Sequence, residues 1–397
     1  MILRSFVIAT AGLWAMLVGV ACWSGAASGG SEGNTPSADR AGASGARPGG
    51  TTGPSAPPSA DARNVLPFRS VTVQLQRVDW VDRYEQAIDE IADLGADTVK
   101  FVVDPRMEHG ESNRIYLDLR MVPSTENLKR LIAHAKARGL RVILMPIVLL
   151  DAPRKATEWR GTIKPESWDR WFESYTDMMV HFAWIAQASG VDLLVVGSEL
   201  VSTERQATHW SAVIRRVRSI YSGLLTYSAN WDHYHAVPFW DQLDLIGMNS
   251  YWALDEGNGR HATVEDIRTA WRNIQADLLP FAAAKGKPII FLEAGWCSLA
   301  NAAHEPWDYT RLSEPIDLDL QRRLYQGFFE SWYGHPQLGG FSIWEWPPEA
   351  GGERDRGYTP RGKPAERVLR SYLAKPPWRV DPSPSATAPA SRRGTDR

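Results

Sequence analysis

The stretch PIIFLEAGW, residues 288–296, sets the apolar run IIFL directly before an acid, Glu293. A carboxylate at the end of a buried strand is costly unless it is paired or functional. A second stretch, LLVVGSEL at residues 193–200, repeats the arrangement and carries Glu199. Two acids on the ends of two buried strands indicate a pair of carboxylates able to cut a sugar chain.

Strand and helix signals alternate on both sides of these stretches. Apolar runs predict strands at residues 71–75, 97–104, 141–150, 192–200, 224–231, 243–252, 288–293 and 339–346. Helical periodicity, with stops such as Gly139 and Gly190, fills the stretches between them. Together these strands and helices make eight strand–helix units, which predicts an α/β fold, a (β/α)8 TIM barrel. A doubly wound sheet is the alternative, but no glycine-rich phosphate turn follows the first strand.

The barrel prediction places the two acids together. Catalytic groups of such barrels lie at the C-terminal ends of the strands, and counting puts Glu199 on strand 4 and Glu293 on strand 7. Period-2 alternation then predicts which residues face inward with them. These are Ile289 and Phe291 on strand 7, Val195 and Gly197 on strand 4, Ser228 and Asn230 on strand 5, and Gly247, Asn249 and Tyr251 on strand 6.

Longer blocks of the sequence resemble glycoside hydrolase family 113. They are TIKPESWDRWFESYTDMMVHFAWIAQASGVDLLVVGSEL (162–200), HWSAVIRRVRSIYSGLLTYSANWD (209–232), FWDQLDLIGMNSY (239–251), KPIIFLEAGW (287–296) and GGFSIWEW (339–346). The resemblance spans nearly all of residues 70–374, in the right order. It implies a barrel of the retaining clan A hydrolases, and the characterised members of the family are endo-β-1,4-mannanases.

The resemblance also implies roles for the two acids: Glu199 as general acid/base and Glu293 as nucleophile. A retaining mechanism places the carboxyl groups about 5–5.5 Å apart. The acid needs a raised pKa, which burial and a neighbouring anion supply. Two departures concern sugar specificity rather than the reaction. Ser198 stands where many clan A enzymes have Asn, and strand 3 ends in the apolar MPIVLL (145–150), where a polar residue such as His is expected.

Aromatic residues supply the candidate sugar contacts. The chain has 18 Trp, and those near strand ends are Trp231, Trp252, Trp296, Trp344 and Trp346. The C–H faces of sugar rings stack on flat aromatics, so Trp296 and Trp344 are predicted to contact substrate, with core packing as the alternative. Tyr251 is predicted to donate its hydroxyl to Glu293. Asn230 is a further candidate for substrate binding.

Further motifs bear on a metal site and on serine-hydrolase chemistry, and the sequence disfavours both. His233 and His235 have the spacing of a metal pair, but the sequence places no third ligand, so no metal or cofactor is predicted. GSEL lacks the second glycine of a nucleophile elbow, which disfavours a serine hydrolase. Further acids near strand ends receive no assigned role: Asp104, Glu345 and Glu349.

The ends of the chain differ in composition from its centre. Residues 1–23 read as a signal peptide or N-terminal anchor, and residues 24–62 as a disordered Gly/Ser/Pro/Ala linker. Residues 63–374 form the predicted catalytic domain and residues 375–397 a disordered tail. We therefore expect a secreted protein, or one tethered to the cell envelope by lipidation at Cys22.

Charge and composition limit the partners. A formal net charge of −2 gives no basic excess for nucleic acid. A polysaccharide or oligosaccharide is the predicted partner of a monomeric protein. Hydrolysis of another β-glycan, for example of the cell envelope, is one alternative function. A sugar-binding barrel that has lost catalysis is another, which the presence of both carboxylates disfavours.

Overall fold

A computed structural model describes residues 66–311, 313–349 and 351–381. The predicted leader and linker, with Cys22, lie outside the described residues. Within the described part of the chain, no helix is long and apolar enough to cross a membrane.

Eight parallel strands close into a barrel in the order β1-β8-β7-β6-β5-β4-β3-β2. They are β1 (Phe68–Gln74), β2 (Thr98–Val103), β3 (Arg141–Pro146), β4 (Leu193–Ser198), β5 (Leu224–Ala229), β6 (Ile246–Asn249), β7 (Ile289–Ala294) and β8 (Leu338–Ile343). The predicted (β/α)8 barrel is confirmed. Three two-residue strands form a separate small sheet above it: Arg106–Met107, Ile115–Tyr116 and Leu149–Leu150.

Helices surround the barrel. They are α1 (Val81–Asp93), α2 (Thr125–Ala137), α3 (Trp168–Ser189), α4 (Ala207–Arg218), α5 (Val264–Lys285), α6 (Leu318–Trp332) and α7 (Pro364–Leu373). The Ser124 hydroxyl caps the start of α2, and Gly190 ends α3 in the left-handed conformation, at φ 65°. The fifth unit departs from the predicted repeat, because two short 3-10 turns replace an α-helix between β5 and β6.

The C-terminal boundary also differs from the prediction. Trp378 donates its indole N–H to the Leu338 carbonyl at 2.9 Å and stacks on Phe341. The described residues after α7, which end at residue 381, therefore pack against the barrel. The prediction of a disordered tail that begins at residue 375 is wrong for this segment. A single large aromatic residue buries enough surface to hold this segment.

Two hydrophobic layers lie on either side of the barrel wall. The inner layer consists of strand and strand-flanking residues, among them Leu193, Val195, Ile290 and Leu292. The outer layer packs between strands and helices; there Phe291 meets Trp332 at a ring-centroid distance of 4.8 Å. The prediction that Ile289 and Phe291 face inward with Glu293 is therefore wrong, whereas Val195 does face inward.

A β-bulge before each acid explains the broken alternation. In β7 the register with β6 shifts between Phe291 and Glu293, and in β4 the register with β5 shifts between Val195 and Ser198. Each extra residue turns the following side chain to the other face. The bulge in β4 also corrects the placement of Gly197, whose missing Cβ would point outward, 2.8 Å from Trp210.

Candidate active site

Glu199 is the first residue after β4, and it is only 6% exposed. Its φ of 50° lies in the left-handed region, which costs a non-glycine residue about 1–3 kcal/mol and is found most often at functional sites. Its backbone N–H donates to the Ser228 carbonyl at 2.8 Å. The neighbouring strand therefore holds the strained residue in place and aims its side chain over the barrel mouth.

Two donors satisfy the Glu199 carboxylate. The Asn249 amide donates to Oε1, and the Arg160 guanidinium donates to Oε2. The orientation of Asn249 is fixed because its own oxygen accepts the backbone N–H of Trp231 at 2.7 Å. The Asn249 amide also donates to the Asn230 oxygen at 3.1 Å. Asn230, predicted to bind substrate, is thus a half-exposed member of the network behind Glu199.

Burial raises the pKa of Glu199 to about 7, the Arg160 guanidinium opposes that shift, and the Glu293 carboxylate adds to it. The Glu199 and Glu293 carboxyl groups therefore influence each other electrostatically. A carboxyl group with a pKa near neutrality can both give and take a proton, which is what a general acid/base must do.

Glu293 lies in β7 and is 4% exposed. The Tyr251 hydroxyl donates to its Oε2 at 2.9 Å, as predicted. Burial raises the pKa of Tyr251 well above its ordinary value, so the phenol keeps the proton that it donates. Oε1 has no hydrogen-bond partner among the described residues. Tyr251 thus anchors one carboxylate oxygen, and the other is buried without a partner among the described residues.

A buried lysine that sequence reasoning missed lies beneath Glu293. Lys100 is 0% exposed on β2, and its ammonium donates to the carbonyl of Leu292, at the bulge that precedes Glu293. The ammonium also lies 5.0 Å from the Trp344 ring centroid. Burial lowers its pKa to about 8, with Glu293 and Glu345 opposing the shift. The signal was present in the sequence: a single charge inside the apolar strand TVKFVV (98–103).

A line of polar side chains crosses the ends of β8, β1 and β2. Gln74 donates to Glu345, and Gln76 donates to Gln74 at 3.0 Å and to Asp104 at 2.7 Å. Burial raises the pKa of Glu345 to about 7 and that of Asp104 to about 6. These two acids, which had no assigned role, thus belong to a hydrogen-bonding array at the barrel mouth that suits sugar hydroxyls.

The predicted tryptophan contacts divide into two groups. Trp344 is half-buried and packs at the edge of a cluster of Tyr251, Cys297, Leu299 and Tyr358, together with Trp231 and Trp307. Trp296 is 0% exposed and packs against Tyr325 and Phe328 in the outer layer. The prediction that Trp296 contacts sugar is therefore wrong. Since Glu293 faces inward, a residue three positions later on an extended chain faces outward.

The histidines of residues 232–235 serve separate contacts. His233 bonds to Asp232 at 2.8 Å, and His235 bonds to Asp277 at 2.8 Å. Residues 66–311, 313–349 and 351–381 contain no group of three His, Cys, Asp or Glu side chains placed to hold a metal ion.

Two buried carboxylates at a barrel mouth, one with a pKa near neutrality and one with an unpartnered oxygen, are typical of glycoside hydrolases. The chain belongs to glycoside hydrolase family 113, whose family model matches residues 72–363. The resemblance seen in the sequence is confirmed. A comparison with curated protein sequences gave no match.

Solved structures of the same family share this fold. The family 113 β-mannanase from Alicyclobacillus acidocaldarius, in complex with ManMIm, is 30% identical, with a TM-score of 0.70, over 79% of this chain and 98% of that one. A family 113 β-1,4-mannanase complex is 27% identical, with a TM-score of 0.69, over 78% and 99%. A β-glucuronidase from Faecalibacterium prausnitzii, at 13% identity and a TM-score of 0.52, shares the fold alone.

Proposed function

We propose that this protein hydrolyses a β-1,4-linked mannan with retention of anomeric configuration. The pairing of Glu199 with Glu293 carries the proposal. Glu199 has the pKa, about 7, that a general acid/base needs. Glu293 has one oxygen held by Tyr251 and one without a partner among the described residues. The mannan assignment is supported by the family 113 structures, which are of β-mannanases.

In the first step Glu293 Oε1 attacks the anomeric carbon and forms a glycosyl ester, while the bond to the leaving oxygen breaks. The proton on Glu199 moves to that oxygen, so the leaving sugar departs with a hydroxyl group. In the second step Glu199, now ionised, takes a proton from water. The water oxygen attacks the anomeric carbon, and the ester bond to Glu293 breaks. Because each of the two steps inverts the anomeric carbon, the product has the original configuration.

The array of Gln74, Gln76, Asp104 and Glu345 supplies donors and acceptors for hydroxyl groups of the sugar that Glu293 attacks. It lies at the ends of β8, β1 and β2, the strands that follow β7 around the barrel. Trp344 offers a half-buried aromatic face beside it.

The test is a panel of soluble β-glycans that includes mannan, glucomannan, xylan and mixed-linkage glucan, assayed by release of reducing ends. We expect cleavage of mannan, and NMR of the first product should show the β-anomer. Glu293→Gln is the control for contaminating activity. Turnover of another glycan but not of mannan would overturn the substrate, and an α-anomer would overturn the retaining mechanism.

We also propose that the protein acts outside the cytoplasm as a monomer, either released or held by a lipid on Cys22. Cell fractionation of the full chain should place it in the envelope or the medium, and labelled palmitate should be incorporated only when Cys22 is present. Cys22→Ala should then release the protein from the membrane fraction. Retention of the full chain in the cytoplasm would refute export.

A further inference from the structure

Arg160 reaches into the site from a loop that sequence analysis did not single out. It begins the 3-10 turn Arg160–Thr162 between β3 and α3. Contacts with Gly110 anchor the loop on either side: the Glu158 carboxylate accepts the Gly110 N–H at 2.7 Å, and the Lys164 backbone N–H donates to the Gly110 carbonyl at 2.8 Å. The loop is therefore held in place, and any movement at this point belongs to the arginine side chain.

The contacts of Glu199 determine its protonation in the free protein. Its Oε2 accepts from Arg160 and its Oε1 accepts from the Asn249 amide. A guanidinium has donors only, and the Asn249 oxygen is already occupied by the Trp231 N–H. If Glu199 were protonated, its O–H would point toward a donor, Arg160 or the Asn249 amide, whichever oxygen carried the proton, and it would have no acceptor. The free arrangement thus fits a carboxylate, whereas the first step of hydrolysis needs a carboxyl group.

One of the two donors must leave before a leaving-group oxygen can reach Glu199. Asn249 is tied to Trp231 and Asn230. Arg160 has a flexible side chain that is 20% exposed, and its buried Nε has no hydrogen-bond partner among the described residues. The guanidinium also interacts with the charges of Glu293 and Asp104. Arg160 therefore contacts Glu199 and acts electrostatically on Glu293 and Asp104, and it has donor capacity left for a ligand.

We propose that Arg160 is a positioning residue that favours the ionised form of Glu199 in the free protein and is displaced from it by the leaving-group sugar. Glu199 then takes up one proton from solvent as substrate binds, and it passes that proton to the leaving oxygen. This inference rests on the proposed function, and it adds a substrate-driven change of protonation to it.

The charges around Glu199 favour this change once Arg160 moves away. The other groups around Glu199 include the acids Glu293 on β7 and Asp232 and Glu204 in loops, the phenol of Tyr251 after β6, and His233, which bonds to Asp232. Burial and Glu293 raise the pKa of Glu199, and Arg160 lowers it. With the cation withdrawn, the pKa of Glu199 rises, and the carboxyl form persists to higher pH.

The test compares pH profiles for a mannooligosaccharide whose first step limits turnover. The alkaline limb of kcat/KM reports the free protein, and that of kcat reports the complex. In the wild-type protein we expect the kcat limb about one pH unit or more above the kcat/KM limb, because a neighbouring arginine lowers a carboxyl pKa by about 1–3 units. In Arg160→Met both limbs should lie at the higher pH.

Matched variants separate charge from structure. Arg160→Lys should restore the wild-type kcat/KM limb, and Arg160→Gln, which keeps donors but no charge, should not. Arg154→Met is the control, since it removes an arginine of the same loop that pairs with Glu111 instead. A dinitrophenyl mannoside needs no proton in its first step, so its kcat/KM should have no such limb in any variant.

Coincident limbs in the wild-type protein, or an unmoved kcat/KM limb in both Arg160→Met and Arg160→Gln, would overturn the inference while leaving the hydrolase intact. If the wild-type protein cuts neither substrate, the proposed function itself fails. Should Arg160→Met lose its cooperative thermal transition, the Lys and Gln variants carry the comparison.

Discussion

The two sides of the barrel mouth hold the same residue type in different ways. At the end of β4, Glu199 has a left-handed backbone and two donors on its carboxylate, one of them from a long loop. In β7, Glu293 is held by Tyr251 from the adjacent strand region and follows a carbonyl that Lys100 binds. The contacts of Glu199 include a cation from a loop, whereas those of Glu293 come from the barrel strands and the residues directly after them.

This difference is consistent with the roles proposed for the two glutamates. A proton carrier must change its charge during the reaction, so a partner that can leave is useful beside Glu199. A nucleophile must keep its position, so contacts from within the barrel suit Glu293. Environment rather than residue type thus sets the task of each carboxylate.

Exchanging each glutamate for glutamine tests the comparison most strongly. Glu293→Gln should lower turnover of every substrate by roughly 10⁴-fold or more, because an amide cannot form the glycosyl ester. Glu199→Gln should lower mannan hydrolysis by about 10²–10⁴-fold. With a dinitrophenyl mannoside, however, the Glu199 variant should still complete the first step and show a burst of dinitrophenol.

Azide distinguishes the roles directly, because it is a nucleophile that needs no base. It should rescue the second step of Glu199→Gln and give a glycosyl azide with retained configuration. Rescue of Glu293→Gln with inverted product would exchange the two roles. If neither substitution slows hydrolysis, the paired carboxylates are not the site of reaction.

Removing the phenol on the nucleophile side should have an intermediate effect. Tyr251→Phe deletes the hydrogen bond to Glu293 Oε2, and such a bond to a charged group contributes about 1.5–3 kcal/mol. We expect kcat/KM to fall about 10- to 100-fold, with little change in thermal stability.

Tyr325→Phe is the matched control for that change. Tyr325 is a buried tyrosine whose hydroxyl has no partner among the described residues, and it packs against Trp296. Its loss should leave kcat/KM unchanged. An equal fall in activity for both variants would show that Tyr251 acts only through packing.

The two tryptophans that were predicted to bind sugar should give the smallest and most contrasting effects. Trp344→Leu should raise KM for mannooligosaccharides about 2- to 10-fold, the range of a lost aromatic contact of about 0.5–1.5 kcal/mol. Trp296→Phe should leave KM unchanged and lower the free energy of unfolding by about 1–3 kcal/mol, because it leaves a cavity in the outer layer. A KM effect at Trp296 would contradict its placement in the core.

The sequence predicted the barrel, the strand positions of both acids and the contact of Tyr251 with Glu293, because these follow from local signals. Alternating apolar runs and helix stops report the repeat, and strand ends converge at one face of a barrel whatever the details. The inward face of β5 and β6 also followed from alternation, since those strands bring Asn230, Asn249 and Tyr251 to the site.

Only the tertiary structure decided how the acids are aimed and which groups control them. The bulges in β4 and β7 depend on register between neighbouring strands, so alternation within one strand misplaced Gly197 and Phe291. Arg160 comes to Glu199 from a loop 39 positions earlier in the chain, and the Lys100 ammonium binds the Leu292 carbonyl 192 positions away. Such contacts arise from chain closure and burial rather than from local propensity. The sequence shows Lys100 as a charge within an apolar strand, but it has no local signal for the partner of either residue.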